Sequence, residues 1–162
     1  MFVKSGCGDV ETYIQSGNVV FSVSDKTVAD LGARIAQQIE ARYGIRVPIV
    51  LRTAAEVDAV IRGNPFLKKG ANEEMLHVCF LADRPTKDLV VGLDAGRSAP
   101  DAFAVLGREI YMQLVNGMAR TKLTNTYFDS KLKTVSTIRN WRTVLKLAEM
   151  LAKVLQVNSL PS

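Results

Sequence analysis

The chain has 162 residues, 48% of them hydrophobic and 23% charged, with a net charge of +5; this is the balance of a globular protein and excludes collagen-like or low-complexity polymers. That length holds one medium core or two small ones that lean on each other. No apolar run approaches the ~20 residues of a membrane helix, and Met1-Phe-Val-Lys-Ser-Gly does not open a signal peptide, so a cytoplasmic location without a membrane partner is expected.

In chain order, the opening residues 1–8 carry no clear element. Val10-Glu-Thr-Tyr-Ile-Gln and Val19-Val-Phe-Ser-Val then alternate sides around Gln15-Ser16-Gly17-Asn18. Two-residue periodicity flanking residues that tolerate positive φ predicts a hairpin, with strands at Thr12 to Ile14 and Val19 to Val23. Val28, Leu31, Ile35 and Ile39 recur at helical spacing and predict a helix from about Asp25 to Arg42, with Gly44 as its stop. A strand is expected over residues 46–51. Thr53-Ala-Ala-Glu56 has capping-box spacing and should open a short helix carrying Val57, Val60 and Ile61, which Gly63-Asn64-Pro65 ends. Residues 68–74 are poor in apolar side chains and read as a linker.

The run Leu76 to Leu81 is almost uninterruptedly apolar, as a strand covered on both faces would be. A helix from Thr86 to Leu93 follows, closed by residues 95–100. Phe103 to Leu106 and Ile110 to Val115 form a second hairpin around Gly107-Arg108-Glu109. A helix from about Thr121 to Leu132 leads to a short extended piece, Val135 to Ile138. From Asn140 to Gln156 the pattern is strongly amphipathic, with Trp141, Val144, Leu145, Ala148, Leu151 and Leu155 on one stripe and Arg142, Lys146, Glu149 and Lys153 on another. The tail from Asn158 to Ser162 should fray.

The order of elements in residues 11–51 is repeated in residues 102–139, and only the second copy has a strand and helix ahead of its hairpin. Strand, helix, hairpin, helix, strand is the βαββαβ order of a ferredoxin-like unit. The expected class is therefore α+β, with two ferredoxin-like units in tandem, the first lacking its opening strand and helix. The expected organisation is an incomplete unit at 1–67, the linker 68–74, a second unit with its terminal helix at 75–157, and the tail 158–162. Roughly 30 residues would be missing from the first unit by this comparison. A ferredoxin-like sheet without its central first strand has an unpaired edge, so the expectation is poor solubility, dimerisation by edge pairing or fraying of the first 20 residues.

The charge is uneven: residues 1–107 hold 12 Lys and Arg against 13 Asp and Glu, while residues 108–162 hold 9 against 3. A basic final third points to an anionic partner or a solvated basic face. Thr121 and Lys122 at one expected helix start, and Arg139, Asn140 and Arg142 at another, would combine free N–H groups, a positive dipole end and cationic side chains into an anion cradle. Lys131, Lys133, Lys146 and Lys153 extend the basic face. Three functions stay open: a binding module for a phosphorylated small molecule at the helix starts, a nucleic-acid binder using the wider face, and an enzyme whose groups have no motif. Cys7 and Cys79 have no metal or redox spacing, and His77, the single histidine, lies in a strand without a second ligand at useful spacing. No cofactor, metal site or catalytic residue is expected from these patterns.

Thr12-Tyr-Ile-Gln-Ser-Gly-Asn-Val-Val-Phe21, Asn64-Pro-Phe66, Leu76-His-Val-Cys-Phe-Leu81 and Arg139-Asn-Trp-Arg-Thr-Val-Leu-Lys-Leu147 resemble the signature stretches of the bacterial family called domain of unknown function 1697 (DUF1697), in order over residues 5–150. The resemblance implies the duplicated α+β architecture and no established reaction. It also implies an opening apolar strand leading into a Gly-rich loop, which this chain does not contain; the expectation is that the chain is truncated at its N-terminus.

Overall fold

The computed structural model describes residues 2–13, 17–24 and 30–158. The expected hairpin turn at Gln15 and Ser16, the first turns of the expected 25–42 helix with Val28, and the tail beyond 158 lie outside them. Contacts divide the chain into two compact units, residues 1–54 with 146–162, and residues 55–145. The boundary expected at 68–74 is occupied by two short 3₁₀ turns, Leu67–Lys69 and Glu73–Met75, the second capped by the Asn72 side chain accepting from Glu74 N at 3.0 Å.

In the first unit β1 (Gly8–Tyr13) and β2 (Asn18–Ser22) form an antiparallel two-stranded sheet. The Asn18 side chain donates to Tyr13 O at 3.1 Å, which fixes the base of the hairpin. Helix α1 (Leu31–Tyr43) ends where Gly44 takes φ 69° and donates to Glu40 O, the left-handed cap that glycine adopts without strain. Leu31 and Ile35 of α1 are buried with Cys7 against Phe21 and Val23. Val20, on the other side of β2, is buried with Met150 and Val154.

The strand expected at 46–51 is corrected: residues 45–53 carry no strand pairing. Ile49 and Leu51 still pack into the cluster around Leu31 and Ile35. Apolar composition was enough to bury these side chains, but a strand exists only through a neighbour's ladder of hydrogen bonds, and among the described residues no such ladder forms here.

The second unit begins with α2 (Ala54–Gly63), followed by β3 (Leu76–Leu81), α3 (Lys87–Val91), β4 (Ala102–Leu106), β5 (Glu109–Gln113), α4 (Asn125–Leu132) and β6 (Ser136–Asn140). The sheet order is β4-β5-β3-β6, with every pairing antiparallel. Central β3 is buried along nearly its whole length, as its unbroken apolar sequence requires. Cys79 and Leu81 of β3, with Ile110 and Met112 of β5, pack on Phe128 and Leu132 of α4. Val78 and Tyr111, paired across β3 and β5, are buried on the opposite face.

Two further boundaries are corrected. Helix α4 starts at Asn125, not Thr121, because Thr124 is its cap and accepts from Tyr127 N. Helix α5 (Trp141–Asn158) buries Trp141 (1% exposed), Val144, Met150 and Val154, whereas Leu145 (37%) and Leu155 of the expected stripe are exposed. Its first turn packs within the second unit and its later turns within the first, so no single stripe serves the whole helix.

Candidate functional site

The five residues expected to form an anion cradle have different fates. Thr121 is buried, and its hydroxyl accepts from Leu123 N at 3.1 Å and lies 3.3 Å from Ser98 Oγ. The Lys122 backbone N–H donates to Ser98 Oγ at 2.9 Å, and its carbonyl accepts from Arg97 Nε at 3.0 Å. Arg97 in turn lies 4.1 Å from the centre of the Tyr127 ring, a cation–π contact. At the other start, the Asn140 side chain accepts from Thr143 N at 2.8 Å and so caps α5. Arg139 is half-buried in β6 and donates to Thr137 Oγ1 and to Ile138 O; burial lowers its pKa. Arg142 is exposed, as is Lys122.

The centre of the first group is an acid. Ser98 Oγ donates to Asp101 Oδ2 at 2.8 Å, Asn116 N donates to Asp101 Oδ1 at 2.7 Å, and Asn116 Nδ2 donates to Ser98 O at 3.1 Å. Burial alone would raise the Asp101 pKa, but the hydrogen bonds from Asn116, Thr121 and Ser98 outweigh it and hold the carboxyl below its usual value. A buried carboxylate that already takes up the nearby donors is the opposite of a cradle for an incoming anion.

The wider basic face is partly neutralised. Lys146 and Lys153 each donate to Glu149 at 2.9 Å. Those two hydrogen bonds hold the Glu149 carboxyl down to about 2. Lys131 and Lys133, at the end of α4, are exposed.

His77 and Cys79 share a face of β3. The ring Nδ1 of His77 sits 3.4 Å from Met75 O, and burial lowers its pKa. Cys79 is fully buried; burial pushes its thiol up to about 12, although a hydrogen bond with Ser136 pulls the other way. Such a thiol is not a nucleophile near neutral pH. Among the described residues, no group of three or more His, Cys, Asp or Glu side chains could hold a metal ion, and no helix is long and apolar enough to cross a membrane.

A concave surface of the second unit lies elsewhere. A groove of about 340 Å³ is lined by Glu56, Ala59 and Val60 of α2, by Arg84 beyond β3, and by Gly107, Arg108, Glu109 and Tyr111 at the β4–β5 turn and along β5. Arg108 clasps its two sides, donating to Glu56 Oε1 of α2 and to Ala82 O at 3.4 Å. Leu81 N donates to Arg108 O at 2.9 Å, which ties the turn to the end of β3. Arg84 is exposed and has no salt-bridge partner among the described residues. Tyr111 is only 3% exposed. Burial raises its phenol to about 12, with the Glu109 carboxylate adding to the effect, so the hydroxyl keeps its proton. The end of α2 approaches closely here, since a Cβ on Gly63 would stand 3.2 Å from the Tyr111 hydroxyl oxygen.

In the sequence, Gly107-Arg108-Glu109 reads only as a turn and Glu56 only as part of a capping box. The pair is 52 residues apart, and no spacing rule joins them. An Arg-Glu pair in a tight hairpin turn is the one local signal that could have marked the place.

The family model described as "Protein of unknown function (DUF1697)" matches residues 1–111 of the chain. That span holds the whole groove and stops before α4, β6 and α5. No curated protein matches the chain, and no solved structure does.

Proposed function

This chain belongs to the DUF1697 family, and from that premise we propose that it is a binding module for a small polar molecule bearing a phosphate or similar oxyanion, held in the groove between α2 and the β4–β5 turn. The observation that carries this reading is the groove itself: two guanidinium groups, a protonated buried phenol and two carboxylates converge on one concavity at the lower end of the volume range of small-molecule sites. Arg84 is the cation with capacity to spare, and Arg108 is held in place by Glu56. Guanidinium suits oxyanions because its planar fork of donors matches their geometry. Glu56 and Glu109 would accept from hydroxyl or amino groups elsewhere on the ligand, so a polyhydroxylated or amino-bearing phosphate fits better than a bare ion. The ligand is placed here and not at the helix starts because Thr121, Arg139 and Asn140 spend their side chains on internal bonds.

The sheet order β4-β5-β3-β6, with its βαββαβ sequence of elements, supports a ferredoxin-like reading of the second unit. Two buried, unpaired cysteines are in keeping with a reducing compartment such as the cytoplasm.

Isothermal titration with inorganic phosphate and with adenosine monophosphate tests the reading. The expected result is saturable binding of the nucleotide, weakened about tenfold or more in Arg84→Ala, as loss of a charge-assisted hydrogen bond requires. Equal binding by wild type and Arg84→Ala, or no binding at millimolar nucleotide, overturns it. A steep salt dependence with single-stranded RNA, together with no nucleotide binding, would favour the nucleic-acid alternative.

A further inference from the structure

Tyr111 carries a polar atom that the fold leaves unused. The residue pairs with Val78 across β3 and β5 and is only 3% exposed, a setting in which a phenol hydroxyl ordinarily finds a partner. The other buried tyrosine of this unit obeys that rule, Tyr127 accepting from Asp94 N at 2.8 Å. The Tyr111 hydroxyl makes no hydrogen bond to the described residues. Nor is its oxygen sealed off. Among the described residues Asn64 Nδ2 is the fully enclosed side-chain polar atom without a partner, so the Tyr111 oxygen opens on the groove that the residue lines. Gly63 at the end of α2 keeps the oxygen uncrowded, because a Cβ there would stand 3.2 Å from it.

The neighbours of this hydroxyl decide what it can take. Burial and the Glu109 carboxylate keep the proton on the phenol, so a ligand group meeting it must offer a lone pair. An ammonium has none. A phosphate has several, but the negative charge of Glu109 that acts on the phenol also repels an oxyanion brought to the same place. A neutral hydroxyl meets neither obstacle: it accepts from the phenol and can donate onward to a carboxylate. Arg84, in contrast, is exposed and suits the charged end of the ligand.

We propose that the groove takes a sugar or polyol phosphomonoester with its hydroxyl-bearing end inward, one hydroxyl accepting from the Tyr111 phenol and the phosphate held outward on Arg84. Tyr111 thereby selects hydroxyl-bearing over amino-bearing phosphates, which narrows the ligand class within the oxyanion-binding reading of this groove on which it rests.

Isothermal titration of the full chain and of its Tyr111→Phe and Arg84→Ala variants tests the selection. The probes are ribose phosphate, the sugar phosphate contained in adenosine monophosphate, and phosphoethanolamine, which offers an ammonium instead of hydroxyls. Tyr111→Phe deletes a hydroxyl without a partner among the described residues, so its urea midpoint should match that of the wild type. The expected result is saturable binding of ribose phosphate, about tenfold or more tighter than that of phosphoethanolamine and weakened about tenfold in Tyr111→Phe. The same variant should bind phosphoethanolamine as the wild type does, and Arg84→Ala should weaken both ligands. Equal binding of ribose phosphate by wild type and Tyr111→Phe, or equal binding of the two ligands by the wild type, overturns the role of Tyr111. If Arg84→Ala still weakens binding in that event, the oxyanion site itself stands. A lowered midpoint in Tyr111→Phe also overturns the role, since the hydroxyl would then be bonded within the protein. No binding of either ligand at millimolar concentration, or no effect of Arg84→Ala, overturns the oxyanion site and the selection together.

Discussion

At the scale of single residues, the most consequential side chain is Asp101. It is 4% exposed and takes hydrogen bonds from Ser98 Oγ and Asn116 N. No motif or spacing in the sequence singles it out. Asp101→Ala removes the acceptor and leaves a backbone N–H and a hydroxyl unsatisfied in a place shut off from water, which should cost about 1–3 kcal/mol. Urea unfolding of the variant at pH 7 measures it, and a change within error of zero would mean that water replaces the carboxylate. Because its pKa is depressed on folding, the Asp101 contribution is present above the ordinary aspartate range and is lost as pH falls through its folded value. Thr121 shows the limit of reading chemistry from residue types. The hydroxyl that spacing offered to a phosphate caps Leu123 N instead. Asn64 makes the complementary point: buried to 1% exposure, it accepts from Phe66 N at 3.0 Å and Leu67 N at 3.4 Å, so Asn64-Pro-Phe66 stands where α2 must turn.

At the scale of elements, the sequence pattern anticipated the α-helices and strands among the described residues, with ends displaced by a few residues, but it also expected a strand at 46–51 that does not form and missed the 3₁₀ turns at Val3–Ser5, Leu67–Lys69 and Glu73–Met75. The displacements have local causes, as when Thr124 rather than Thr121 begins α4. Helix α5 is the instructive case. Its polar face and its Trp141 anchor were legible in sequence, while Leu145 and Leu155 were assigned to the buried stripe and are exposed. Trp141→Ala empties the volume of a fully buried indole and should destabilise by about 3–5 kcal/mol, as large aromatic truncations in cores do. A denaturant titration checks this. A cost below about 1 kcal/mol would place the indole in a binding role and not in the core. Within the second unit, the Arg108–Glu56 ion pair joins α2 to a hairpin turn far along the chain. Both partners are substantially solvated, so its contribution lies in orienting Arg108 more than in stability.

For the whole molecule, the alkaline limit of stability follows from two buried acids. Cys79 and Tyr111 both keep their protons in the folded state up to about 12. In the unfolded chain the thiol releases its proton near 9 and the phenol near 10. From pH 9 upward the unfolded state therefore binds fewer protons, and the free energy of unfolding should fall with pH until the folded values are reached. The stability these groups contribute is complete below pH 9 and lost across that window. The slope from Cys79 approaches at most about 1.4 kcal/mol per pH unit. Urea midpoints at pH 8, 9, 10 and 11 test it, with a shallower fall expected in Cys79→Ala. A flat profile across the series would contradict the burial of both groups.

The α+β class, the hairpins, the amphipathic terminal helix and the basic final third were all determined by the sequence alone, since each rests on local alternation, helical spacing or charge count. Tertiary structure decided three other things. It left residues 46–51 without a strand ladder among the described residues, it committed Thr121, Arg139 and Asn140 to internal hydrogen bonds, and it gathered Glu56, Arg84, Arg108 and Tyr111 around one groove. The reason is the same in each case: strand pairing, desolvation and the convergence of charges depend on which distant residues become neighbours. Periodicity reports the face a side chain presents, but not what that face will meet.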